Sequence, residues 1–128
     1  MMRRIPYLAL LAVLVGACAS GGSARSLGSR NVITQQEIES VNVSTAYEVV
    51  QQLRPQFLQG RGQTSIRDPG AGMPVVYVNG VRYGGVEVLR NLRSMDLREI
   101  RFLSASDATT RYGTGHVGGV IEVTTRGG

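Results

Sequence analysis

Two kinds of apolar spacing follow one another along the chain after residue 30, and they predict helices and strands in turn. Between residues 46 and 57 the apolar positions have helical spacing: Ala46, Val49, Val50, Leu53 and Phe57. We predict a helix that Ser44 caps and that ends near Leu53, because Pro55 disfavours helical backbone at the residue before it. The run Pro74–Val78 is continuously apolar, which predicts a strand covered on both faces.

Residues that cap helices mark the elements just before this helix. Thr34 and Glu37 have the spacing of a capping box, in which each side chain accepts a hydrogen bond from the other residue's backbone N–H. The box predicts a short helix that runs to about Ser40. A short strand is expected before it, at residues 31–33.

The second half of the chain predicts one more helix, two turns and two strands. Residues 86–93 form the helix, and Ser94 caps the short turn that follows. Residues 98–104 and 120–125 read as strands, because polar and apolar or β-branched residues alternate there. Between them, Asp107 is expected to cap a helical turn that ends at Tyr112.

Glycines mark the tight turns. Asn79-Gly80 is the strongest hairpin signal in the chain and predicts a type I′ turn, with Gly80 at positive φ. Gly113, Gly118 and Gly119 precede the last strand, where they allow a bend or a close backbone approach. We interpret all of these glycines as structural and not as ligand-binding.

Together these elements predict one α+β domain over residues 31–128. It has a small mixed β-sheet with short helices packed against it. A chain of this size buries a single core without disulfides or metals.

The first 18 residues have the features of a bacterial secretory leader. Arg3 and Arg4 precede an apolar run that is too short to span a bilayer. Residues 15–18, Val-Gly-Ala-Cys, resemble a lipobox, in which Cys18 is acylated and becomes the mature N-terminus. We expect a signal peptide at 1–17 and a flexible tether at 18–30, with the protein lipid-anchored on the periplasmic face of the outer membrane.

Charge and reactive residues exclude several classes of function. The net charge is +5 and every basic residue is arginine, but the arginines are scattered, so no nucleic-acid partner is expected. His116 is the single histidine and is expected to be exposed between glycines, so no metal or other cofactor is predicted. The carboxylates, Glu122 among them, fall at caps and on solvated faces, and we predict no enzymatic activity.

Contact with a partner is the remaining kind of function. The glycine-rich loop Leu58–Gly72 is the first candidate, because loops carry many binding sites, and it contains Arg61 and Arg67. The second candidate is the turn between residues 107 and 116, which contains Arg111 and Tyr112.

The end of the chain also resembles a known family. Tyr112-Gly113, then Gly118-Gly119-Val120-Ile121 and a threonine-rich strand, resemble the end of the plug domain of TonB-dependent outer-membrane receptors. The valine-rich strand before Asn79-Gly80 is similar too, and the resemblance covers about Val32–Arg126. It implies a plug fold.

The chain departs from a full receptor in two ways, and two functions stay open. No TonB box is identified in the tether, and no barrel follows the plug, so we do not expect transport by this chain alone. One function is a binding or interaction module at the cell envelope. The other is an accessory plug that acts in trans within the barrel of a separate outer-membrane transporter.

Overall fold

The structure, a computed structural model, describes residues 30–61 and 66–128. The predicted signal peptide, Cys18 and nearly all of the predicted tether lie outside the described residues. Residues 62–65 of the predicted loop lie outside them as well.

Five strands form one mixed sheet, with the strand order β1-β4-β5-β2-β3. Neighbouring strands are antiparallel except for β5 and β2, which are parallel. The last strand along the chain, β5, therefore lies in the middle of the sheet. The strands are β1 (Val32–Thr34), β2 (Val75–Val78), β3 (Val81–Gly84), β4 (Leu97–Leu103) and β5 (Val120–Thr125).

Within residues 30–61 and 66–128, three short α-helices and three 3-10 helices accompany the sheet. The α-helices are α1 (Gln35–Ser40), α2 (Ala46–Leu53) and α3 (Ala105–Tyr112), and the 3-10 helices span Pro55–Leu58, Val86–Asn91 and Ser94–Asp96. The predicted fold class, α+β with a small mixed sheet and short helices against it, is confirmed.

Capping boxes begin both of the first two α-helices. At α1 the box is the predicted pair, Thr34 and Glu37. At α2 the predicted cap is wrong: Thr45, not Ser44, is the N-cap, and its hydroxyl accepts the N–H of Glu48. The Glu48 carboxylate accepts the backbone N–H groups of both Thr45 and Ser44. Serine and threonine both cap helices, so the sequence contains two candidates for the N-cap position.

Three further predictions are corrected. Residues 86–91 form a 3-10 helix, and its N-cap Gly85 makes no side-chain cap bond, so the turn lacks the stabilised start of an α-helix. Ser94 lies inside its turn, after Arg93, and its hydroxyl donates to the carbonyl of Val43 instead. Helix α3 starts earlier than predicted because Ser104 caps it, which leaves Asp107 in the first turn.

Apolar side chains pack on both faces of the sheet. On one face α1, α2 and the 3-10 helices cover the main core, in which Phe57 stacks on Phe102 with ring centroids 5.2 Å apart. On the other face α3 covers a smaller cluster built on Tyr77, Ala108 and Val120. The strand β2 is covered on both faces, as its continuous apolar sequence predicts.

The hairpin between β2 and β3 has the backbone of a type I′ turn. Asn79 has φ 50° and Gly80 has φ 82°, so both central residues take the positive φ that this turn requires. The Asn79 side chain also bonds Thr125 in both directions, as donor over 2.8 Å and as acceptor over 3.0 Å. The hairpin is therefore tied to the end of β5.

Candidate functional site

Helix α3 covers only part of its sheet face. It packs through the fully buried Ala108 on the end of the face that carries Leu103 and Val120. The helix is eight residues long, and Gly113 ends it at φ 85°. The other end of the same face stays open beside the C-terminus of α3.

Contacts among Tyr77, Tyr112 and His116 connect the C-terminus of α3 to the sheet. The rings of Tyr77 and Tyr112 stack with centroids 3.9 Å apart. His116 Nδ1 lies 2.9 Å from the carbonyl oxygen of Gly113, so Nδ1 carries the proton. The other ring nitrogen, Nε2, therefore accepts a hydrogen bond from the Tyr77 hydroxyl over 3.0 Å.

The prediction that His116 is exposed is wrong. The side chain is 6% exposed, because the chain folds back after Gly113 and brings the ring against Tyr77. Both of its ring nitrogens have partners, so the imidazole is a structural group in this arrangement.

Glu122 is also buried, and the expectation of a solvated carboxylate is wrong there. It is 9% exposed, accepts a hydrogen bond from the Tyr112 hydroxyl and pairs with Arg111 over 3.0 Å. Burial and the bond to Glu122 raise the pKa of Tyr112 above its ordinary value. The sequence contained one indication of this site, a single glutamate among the β-branched residues of β5. A charged side chain in a buried strand needs a hydrogen-bond or ion-pair partner.

A groove opens beside this pair on the uncovered end of the sheet face. We call it the charged groove, and its cavity volume is about 380 Å³. In it Arg101 pairs with Glu99 over 2.9 Å, next to the pair of Arg111 and Glu122. It is lined by Asn79, Gly80, Glu99, Arg101, Arg111, Glu122 and Thr124.

The end of the candidate loop Leu58–Gly72 meets the residues just after the second candidate turn, at one end of the sheet. A Cβ on Gly118 would lie 2.4 Å from atoms of Gly72 and Met73, so only glycine fits there. The Arg61 N–H donates to the carbonyl of Gly72 over 3.0 Å, which brings the start of the loop to the same place. Arg61, Met73 and Val117 are exposed around this contact, and we call these three residues the loop-end surface.

The predicted contact residues thus fall in two groups. Arg61 lies on the loop-end surface, and Arg67 is exposed within the same loop, before the turn at residues 68–71. Arg111 and Tyr112 come together on Glu122 at the charged groove. Sequence reasoning did not find Tyr77, Glu99 or Arg101 as members of the site.

A larger groove, of about 650 Å³, lies beside α1 and the connection to α2. Ile38, Val43 and Met95 supply its apolar part, and Arg93 and Arg126 lie at its polar part. Arg126 pairs with Glu39 over 2.6 Å, and Arg93 pairs with Asp96 over 2.9 Å. In residues 30–61 and 66–128 no group of acidic, histidine or cysteine side chains is arranged to hold a metal ion.

Comparison with known proteins identifies the family. The sequence model of the TonB-dependent Receptor Plug Domain matches residues 23–120. The chain belongs to the plug domain family. The resemblance seen in the glycine and tyrosine motifs is thereby confirmed. Searches of curated proteins and of solved structures found no match.

Membership in the plug family sets the general context of the chain. Plug domains are non-catalytic parts of outer-membrane transporters, in which they associate with the transporter barrel. Over the described part of this plug domain, no helix is both long and apolar enough to cross a membrane.

Proposed function

We propose that the chain is an interaction module with a plug fold, which is anchored to the outer membrane and works by contact without catalysis. The observation that carries this proposal is the loop-end surface, where the candidate loop meets the residues that follow the second candidate turn. Met73 is 37% exposed there and Val117 is 47% exposed, so apolar side chains face solvent next to Arg61. Exposed apolar groups with an arginine beside them are typical of protein contact surfaces.

The anchor in this proposal is an acylated Cys18, which is the first residue of the mature protein once residues 1–17 are removed. The tether at 18–30 then holds the plug domain near the periplasmic face of the outer membrane. Mass spectrometry of the membrane fraction should find no unmodified peptide that spans Ala17 to Ala19. A Cys18→Ser variant that stays in the outer membrane as firmly as the wild type would count against this anchor.

The satisfied interior supports a domain that folds by its own contacts. Among the described residues, every buried side-chain nitrogen and oxygen has a hydrogen-bond partner. The buried polar groups therefore need no barrel wall to satisfy them.

Crosslinking in intact cells, followed by recovery of the chain, tests the contact function. We expect the wild type to recover an envelope protein, and a variant with both Arg61→Gln and Arg67→Gln to recover less of it while the melting temperature is kept. Arg90→Gln is the matched control, because Arg90 is not part of the loop-end surface. It lies instead over the ring of Tyr47, a residue of α2. Equal recovery with all three proteins would contradict the proposed contact surface.

Family membership favours a second candidate, an accessory plug that acts in trans within a transporter barrel. The same experiment separates the two candidates. A crosslinked partner that is a barrel-forming transporter, together with loss of substrate uptake on deletion of this chain, supports the accessory plug. A partner of another kind supports the interaction module.

A further inference from the structure

The charged groove lies on a row of side chains that crosses four strands. Across the sheet Arg82 is opposite Tyr77, Tyr77 is opposite Glu122, and Glu122 is opposite Arg101. Directly opposite residues in a sheet share a face, so this row lies on the face that α3 covers only in part. Arg111 reaches the row from the last turn of α3.

The charges in this row leave an excess of arginine. Glu122 is nearly buried and is held by Arg111 and Tyr112, and Glu99 is held by Arg101. Arg82 is exposed, and within the described ranges no carboxylate pairs with it. Both carboxylates are thus already neutralised inside the protein, whereas the arginines have donors to spare.

The unused N–H donors of these arginines favour an anionic partner. A guanidinium has five N–H donors and no acceptor, and Arg101 uses two of its nitrogens on one oxygen of Glu99. Arg101 is 44% exposed and Arg111 is 55% exposed, so their remaining donors face the groove and solvent. The Asn79 amide group is held by Thr125, to which it donates one hydrogen bond and from which it accepts another.

We propose that the charged groove, together with Arg82 on the same face, binds an acidic segment of a partner protein. The inference rests on the proposed contact function and extends it by naming the place and the chemistry of one contact. Glutamate and aspartate side chains accept the forked pair of bonds that arginine offers, which fits three arginines on one sheet face. A symmetric pairing of this groove with the groove of a second copy does not fit, because it would bring arginine against arginine.

Three labelled peptides of twelve residues test the proposal with the full chain. Each alternates threonine with a second residue, which is glutamate, glutamine or lysine. Fluorescence anisotropy at low salt is expected to show binding of the glutamate peptide at least about fivefold tighter than the glutamine peptide, and none of the lysine peptide. Added salt weakens the binding, since exposed charges are screened. Equal binding of the three peptides overturns the proposal.

Variants place the binding on the sheet face. Arg101→Gln and Arg82→Gln are each expected to weaken glutamate-peptide binding about two- to fivefold. Arg82 is the second variant because it holds no carboxylate in the described structure, so its loss leaves the fold intact. Arg93→Gln, in the groove beside α1, is the matched control and should bind like the wild type. Unchanged binding by both groove variants overturns the proposal.

Three other outcomes are separated by the same proteins. If phosphatidylglycerol vesicles bind the chain through Arg82 and Arg101 but the glutamate peptide does not, the occupant is an anionic lipid surface and the proposal is wrong. If cells yield a crosslinked partner equally from the wild type and from the double Arg82→Gln, Arg101→Gln variant, this groove is not the contact, although the contact function stands. If the wild type yields no partner, the contact function itself fails.

Discussion

The Tyr77 hydroxyl donates a hydrogen bond over 3.0 Å to Nε2 of His116, 39 positions further along the chain. This bond joins strand β2 to the glycine segment that precedes β5. The other imidazole nitrogen bonds the carbonyl oxygen of Gly113. The ring therefore connects the end of α3 to strand β2.

Removal of this hydroxyl should destabilise the protein. In Tyr77→Phe the nearly buried Nε2 of His116 loses its donor, and an unsatisfied buried polar group costs about 1–3 kcal/mol. Urea denaturation measures the change in the free energy of unfolding. Tyr83→Phe is the control, because Tyr83 is 55% exposed, and it should change stability by less than about 0.5 kcal/mol. Equal effects of the two changes would contradict the bond.

The burial of Glu122 predicts a difference in stability between variants of the two glutamates in the charged groove. Glu122→Gln weakens the bonds from Tyr112 and Arg111 at a nearly buried position, and we expect a loss of about 1–3 kcal/mol. Glu99→Gln breaks a partly exposed pair with Arg101, and pairs of this kind contribute at most about 1 kcal/mol. Thermal and urea unfolding will rank the two variants. A larger loss for Glu99→Gln would refute the assignment.

The glycines before β5 allow a test that separates strain from collision. Gly119 has φ 83°, and a Cβ on it would lie 2.5 Å from the carbonyl oxygen of Leu103. Gly113 has φ 85°, but nothing lies within 4 Å of its Cβ position. Both alanine variants carry the cost of a positive-φ backbone, which at Gly113, with ψ −169°, is about 1–3 kcal/mol, and Gly119→Ala adds the collision. The melting temperature should fall clearly further for Gly119→Ala than for Gly113→Ala.

The capping boxes predict how stability changes with acid. Burial alone raises the pKa of Glu37, but the Thr34 N–H and Arg54 outweigh it, so the pKa lies below the ordinary 4.5. The N–H of Thr45 lowers the pKa of Glu48 likewise. A carboxylate with a lowered folded pKa stabilises the fold above its unfolded pKa, and this is lost as pH falls through the folded value. The free energy of unfolding should thus decline below about pH 4.5, and less steeply in Glu48→Gln.

Short sequence patterns predicted several helix ends, one turn and one strand of the fold. The capping box at Thr34, the end of α2 before Pro55, the Asn79-Gly80 turn and strand β5 each depend on a few neighbouring residues, so the sequence contains their cause. Where two residues compete for one role, as Ser44 and Thr45 do for a cap, spacing alone does not decide.

The charged groove could not be predicted in the same way. Its ion pairs join β4 to itself and α3 to β5, and its members face one another only because β5 inserts between β4 and β2. His116 is buried for the same reason, since Tyr77 reaches it only across the completed sheet. The partners of a buried polar group are set by the topology, which no local pattern contains.

Site-specific photocrosslinking in intact cells tests the central claim, contact by a plug-fold domain, most directly. A photoreactive residue replaces Val117 on the loop-end surface in one protein and Gln52, exposed on α2, in another. We expect a discrete crosslinked product with an envelope protein from position 117 and none from position 52. No product from position 117, or the same products from both positions, would contradict it.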